Sequence, residues 1–233
     1  MRTHRRVIGM VLVLLTCAGA RAATIDMFTG TSDGSPLIVP RTILGPATVF
    51  EPMIGGVIGG ERITTVTGIT FDDPGIDMVQ AAVFPSVGVF DYSSSAGATG
   101  EVMLTYRNSD GPDGLDADLS GDALVRVDVT HFDLAGGVPM AVSVLLDDGI
   151  DTAMLTKPVN VSGAQTLDFL FSDFPPADFA ALDLLDIDRI VLTFSPGQAA
   201  DFRIDSITTQ VPEPAGVMLL LVGAAALPIR RSR

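Results

Sequence analysis

The chain has 233 residues, 47% of them hydrophobic and 18% charged, with no tryptophan and a formal net charge of −14. That length suits one well-buried domain plus targeting segments and is too short for two comfortable domains. The charge is unevenly placed: residues 23–210 hold 27 acids against 7 bases, which excludes nucleic acid and anionic lipid as partners of the body and favours cations.

In chain order, the first element is an export signal over residues 1–22, predicted as an N-terminal signal helix. Met1 to Arg6 is a basic n-region, Val7 to Leu15 an apolar h-region, and Ala20-Arg21-Ala22 supplies small residues around a cleavage point before Ala23. Signal peptidase is the implied partner. The only cysteine, Cys17, follows Leu14-Leu15-Thr16. Thr16 is bulkier than the residue a lipobox carries there, so Cys17 reads as discarded with the signal. A mature chain without cysteine has no disulfide, no thiol nucleophile and no Cys-ligated metal.

Residues 23–210 read as β. Ile63, Thr65, Thr67, Ile69 and Phe71 alternate with their neighbours, as do Val125, Val127 and Val129, then Met140, Val142, Val144 and Leu146, then Leu167, Phe169 and Phe171, then Ile190, Leu192 and Phe194. Turn signals separate these runs at Asp72-Asp73-Pro74-Gly75, Gly136-Gly137, Asp147-Asp148-Gly149 and Ser195-Pro196-Gly197. Only Ala177 to Leu185 has a helical pattern, predicted as a short crossover. Strands of this length and spacing predict an all-β fold, an antiparallel two-layer β-sandwich. In Ala200 to Ile207 the pattern puts Phe202 and Ile204 on one face and then slips at Asp205-Ser206, as a bulge would. This strand resembles the last strand of jelly-roll, galactose-binding-like domains, including many carbohydrate-binding modules. The resemblance implies a jelly-roll type of sandwich, and an Asp near this point, here Asp205, that helps to hold a structural calcium.

The densest chemistry is Asp110 to Asp122, where Asp113, Asp116, Asp118 and Asp122 recur at short intervals. Calcium takes six to eight hard oxygens from a flexible loop, which such carboxylates can supply. An EF-hand register from Asp116 fails, because position twelve is Val127 and a strand follows. A looser calcium site and a solvated acidic hairpin loop both remain open.

The tail, residues 211–233, opens with Pro212-Glu213-Pro214, continues with 15 uncharged residues from Ala215 to Ile229, and ends on Arg230, Arg231 and Arg233. As a short transmembrane helix this run would extend about 22 Å at 1.5 Å per residue, against a hydrocarbon core of roughly 30 Å. The arginines belong on the cytoplasmic side, so the body faces outward, as the export signal also requires. This arrangement resembles the PEP-CTERM sorting signal of Gram-negative bacteria that make exopolysaccharide. The resemblance implies that an exosortase, a membrane transpeptidase, recognises the Pro212-Glu213-Pro214 motif and removes the tail, after which the protein is released or attached at the cell surface.

Three function classes follow. The first is an exported, non-enzymatic structural or interaction sandwich at the surface or in an exopolysaccharide matrix. The second is a carbohydrate-binding module, whose usual aromatic platforms are poorly supplied here by Tyr92 and Tyr106 alone. The third, a secreted hydrolase, has a single histidine beyond the signal, His131, as a candidate base.

Overall fold

β-branched and aromatic residues at every second position cannot bury their apolar side on one sheet alone, so two sheets must close on each other. The computed structural model describes residues 22–73, 75–108, 114–133 and 137–211 and shows that closure. Among the described residues thirteen strands form: β1 (Thr24–Asp26), β2 (Leu37–Arg41), β3 (Gly45–Glu51), β4 (Gly60–Phe71), β5 (Val79–Phe84), β6 (Val89–Ser94), β7 (Ala98–Asn108), β8 (Leu124–Asp133), β9 (Met140–Asp147), β10 (Thr152–Val159), β11 (Gln165–Leu170), β12 (Arg189–Ser195) and β13 (Asp201–Gln210). The first sheet runs β11-β8-β13-β6-β5-β2, with β1 also on β13; the second runs β10-β9-β12-β7-β4-β3. Every named pairing is antiparallel. The all-β antiparallel two-layer sandwich expected from the alternation is therefore the observed architecture.

The core lies between the sheets. Phe202 of β13 stacks on Tyr92 at 4.9 Å and packs on Phe194 at 5.2 Å, linking the two layers. At one end the core contains charge: the fully buried Arg62 donates to Glu51 at 2.9 Å and to Asp26 at 2.7 Å, and Tyr106 donates its hydroxyl to Asp26 at 3.1 Å. This cluster ties β1 to β3 and β4. Along β13 the register shifts between Ile204 and Ser206, leaving Asp205 exposed at the bulge that its sequence predicts.

The helical expectation over Ala177 to Leu185 is met only in part: α1 spans Pro176–Phe179. Two bonds explain the early stop. Asp183 donates its backbone N–H to Asp148 and Leu119 donates to the Leu184 carbonyl, which draws the following residues out along 115–119 rather than into another helical turn. Residues 1–21 of the predicted signal segment (1–22), the predicted tail helix, the motif Pro212, Glu213 and Pro214, the arginines Arg230, Arg231 and Arg233, and Asp113 lie outside the described residues. Among the described residues no helix is long and apolar enough to cross a membrane.

Candidate functional site

Paired residues on neighbouring antiparallel strands point to the same side, so the registers fix what each sheet shows to solvent. On the first sheet the middle of the outer face is polar and self-paired, with Ile38 and Leu170 exposed on the two marginal strands. Asp168 and Arg126 form an ion pair at 2.7 Å, Arg203 and Asp91 another at 3.1 Å, and Asp128 accepts from both Thr166 and Ser206 at 2.9 Å.

The second sheet differs. Across β10-β9-β12-β7-β4-β3 the register aligns Met154, Leu145, Val191, Thr105, Ile63 and Phe50 in one row on the outer face. Met154 and Phe50 are about half exposed, and Leu145, Val191 and Ile63 are half-buried. The next row is Thr156, Ser143, Thr193, Met103, Thr65 and Thr48. Its hydroxyls meet in two pairs, Ser143 with Thr156 at 2.7 Å and Thr48 with Thr65 at 3.1 Å. On the other side of the apolar row lie two ion pairs, Arg189 with Asp147 and Arg107 with Glu61. The Arg107 guanidinium also stands 5.7 Å over the Phe50 ring. A stripe that is apolar on five of its six strands, with the buried Thr105 on β7, thus lies between a hydroxyl row and a charged row and extends about 25 Å at the usual strand spacing.

The sequence-predicted acidic residues separate in space. Asp116 meets Asp186 and Asp188, and these three offer carboxylate oxygens within 4.8 Å of one another. The meeting is built by the backbone: Leu115 donates to the Asp188 carbonyl, and Ala117 and Ile187 exchange two bonds, so residues 115–117 run beside 187–188. Asp116 sits at φ 52°, a left-handed conformation that Asp tolerates better than most residues. Burial, with the charges of Asp186, Asp116, Asp147 and Asp148, raises the pKa of Asp188 above the usual carboxylate range. Three carboxylates are fewer than the six to eight oxygens that calcium takes, so water or further groups would have to complete any coordination.

Asp118 is not in this trio. It accepts from the backbone and hydroxyl of Ser120, which lower its pKa. Asp122 is partly buried, its pKa raised by burial, with Oδ1 unpartnered among the described residues. Asp205 lies on the outer side of β13. Sequence reasoning names Asp116 but misses Asp186 and Asp188, although Asp183, Asp186 and Asp188 form a short run of their own. His131 is exposed on β8. A surface hollow of about 570 Å³ is lined by Ile43, Leu44, Ile69, Thr70 and Phe71, none of which ionises.

No protein-family model matches the chain. No curated protein matches it either. Solved structures share the sandwich at a distance. One is the family 11 carbohydrate-binding module of cellulosomal cellulase Lic26A-Cel5E of Clostridium thermocellum, 14% identical with a TM-score of 0.41, over 84% of this chain and 97% of that one. A CBM29-2 mutant complexed with mannohexaose is 12% identical with a TM-score of 0.34, over 82% of this chain and 92% of that one. The native family 12 xyloglucanase from Bacillus licheniformis is 9% identical with a TM-score of 0.36, over 71% of this chain and the whole of that one. These likenesses are of fold, and they span binding modules and an enzyme alike.

Proposed function

We propose that the chain is an exported, non-enzymatic sandwich of jelly-roll type that binds carbohydrate through the outer face of its second sheet. The observation that carries this reading is the contrast between the two outer faces: one is closed by its own ion pairs, the other presents an apolar row beside a hydroxyl row. A glycan chain has the matching character, with C–H faces flanked by hydroxyl edges. Covering the apolar row contributes roughly 25 cal/mol per Å² of apolar surface, whereas each neutral hydrogen bond nets about 1 kcal/mol. Affinity therefore comes chiefly from the apolar row, with Met154 and Phe50 offering the most exposed surface and Leu145, Val191 and Ile63 less, and orientation from the threonines and Ser143. Both tyrosines are buried in the core, so within this row the aromatic stacking common in glycan platforms falls to Phe50 alone.

Affinity electrophoresis against a panel of soluble polysaccharides tests the reading. Retardation by at least one polymer, abolished in Val191→Asp and retained in Thr208→Asp on the opposite sheet, is the expected result. No retardation by any polymer rejects it.

Delivery follows from the two ends of the sequence. In this reading the signal directs export, an exosortase recognises Pro212-Glu213-Pro214, and the body is left at the cell surface or in an exopolysaccharide matrix. Mass spectrometry of surface material should find Arg233 removed; an intact Arg233 there overturns the processing step.

A further inference from the structure

The charged row beside the apolar stripe sets two cations next to each other. Ile190 pairs with Tyr106, and one step further in that register places Arg189 of β12 beside Arg107 of β7 on the outer face. Like charges directly opposite one another on a sheet destabilise it, so each arginine needs compensation. It comes from the flanking strands: Asp147 of β9 takes Arg189 and Glu61 of β4 takes Arg107. The compensation is lopsided in depth. Both arginine side chains are 48% exposed, while Glu61 is 0% and Asp147 12% exposed. A ligand lying on this face therefore meets guanidinium, with the carboxylates beneath. Glu61 retains a buried Oε2 unpartnered among the described residues, and Phe50 supports the Arg107 plane from the side.

Resting on the carbohydrate reading above, we propose that Arg107 and Arg189 form a carboxylate-reading subsite, so that the preferred ligand is an acidic glycan containing uronic acid residues. Guanidinium presents a planar fork that fits a carboxylate with two parallel hydrogen bonds, stronger than those to a neutral hydroxyl. Arg107 uses Nε for Glu61 and Arg189 uses one Nη for Asp147, and each half-exposed guanidinium has further N–H groups that a ligand carboxylate can take. The acidity of the rest of the body does not forbid this. At physiological salt the screening length is about 8 Å, so acids across the molecule act weakly here; the acids beside Arg189, namely Asp188 with Asp186, Asp116 and Asp148, oppose an anion, and the paired hydrogen bonds to guanidinium together with the apolar row, whose attraction salt does not remove, have to outweigh them.

Affinity electrophoresis and calorimetry of the purified protein with sodium polygalacturonate, with its methyl ester and with a neutral β-glucan test the subsite. Polygalacturonate should bind about ten-fold more tightly than its ester, with the advantage shrinking as salt rises. In Arg189→Gln, where Asp147 keeps its bond from the Gly149 N–H, the ratio of acid to ester affinity should fall toward one. Equal affinity for polygalacturonate and its ester, or preference for the neutral glucan, overturns the acidic-glycan inference and leaves the binding face standing. Binding to none of the three, nor to the wider panel, overturns both.

Discussion

Arg62 shows how much a single residue holds in this sandwich. Its guanidinium is fully buried between Asp26 and Glu51, and pairs of this kind are costly to break because the partner charges stay buried. Arg62→Met should destabilise the fold by about 3–5 kcal/mol, measured by urea denaturation. Adding Asp26→Asn and Glu51→Gln should recover a large part of that loss; a triple variant as unstable as the single one would show that packing, not charge, is at stake. Asp188 works in the opposite sense. Its raised pKa means that the folded chain holds the proton more tightly than the unfolded chain, so stability falls as pH rises from the ordinary carboxylate range through the folded value. In chelator at neutral pH, Asp188→Asn should melt higher than the parent, and the gap should close on acidification. Calcium raising the parent's melting temperature and not the variant's would place an ion at Asp116, Asp186 and Asp188; an unchanged temperature would leave the trio as solvated acids.

At the scale of elements, three of the four outermost strands carry proline, β11 being the exception. Pro40 lies in β2, Pro46 in β3 and Pro158 in β10, each the outermost strand of its sheet. Proline lacks the N–H that an added strand would use, which protects an edge from pairing with another chain. Replacing all three by valine should leave the melting temperature within a few degrees and raise self-association, read by light scattering against concentration. Those prolines also bear on what was legible in the sequence. The inner-facing alternation of β8, β9 and β12 was plain, because β-branched and aromatic residues occupy every second position. β2, β3 and β10 did not show because proline interrupts them, and β5 because Val-Gln-Ala-Ala-Val-Phe breaks the period. The face itself could not be read: Met154, Leu145, Val191, Ile63 and Phe50 become one row only through registers that join segments up to 86 residues apart, as Val191 and Thr105 are. For the same reason Asp116 stood out in its loop, while its partners Asp186 and Asp188 were hidden some 70 residues downstream.

For the whole molecule, the sandwich brings its ends together. The Ala23 N–H donates to Thr209 Oγ1 at 2.9 Å and the Thr209 N–H to the Ala23 carbonyl at 2.8 Å, so the residue after the predicted signal-cleavage point and the strand before the predicted sorting motif lie side by side. β1 and β13 belong to the first sheet. The outer face of the second sheet thus lies across the core from the Ala23–Thr209 pairing. Amide chemical-shift mapping of the labelled protein during titration with a bound polysaccharide tests that assignment most directly. The shifts should cluster on β4, β7, β9 and β12, at Ile63, Thr105, Leu145 and Val191. Shifts confined to β8, β11 and β13 on the other sheet, or to the loops, would contradict it.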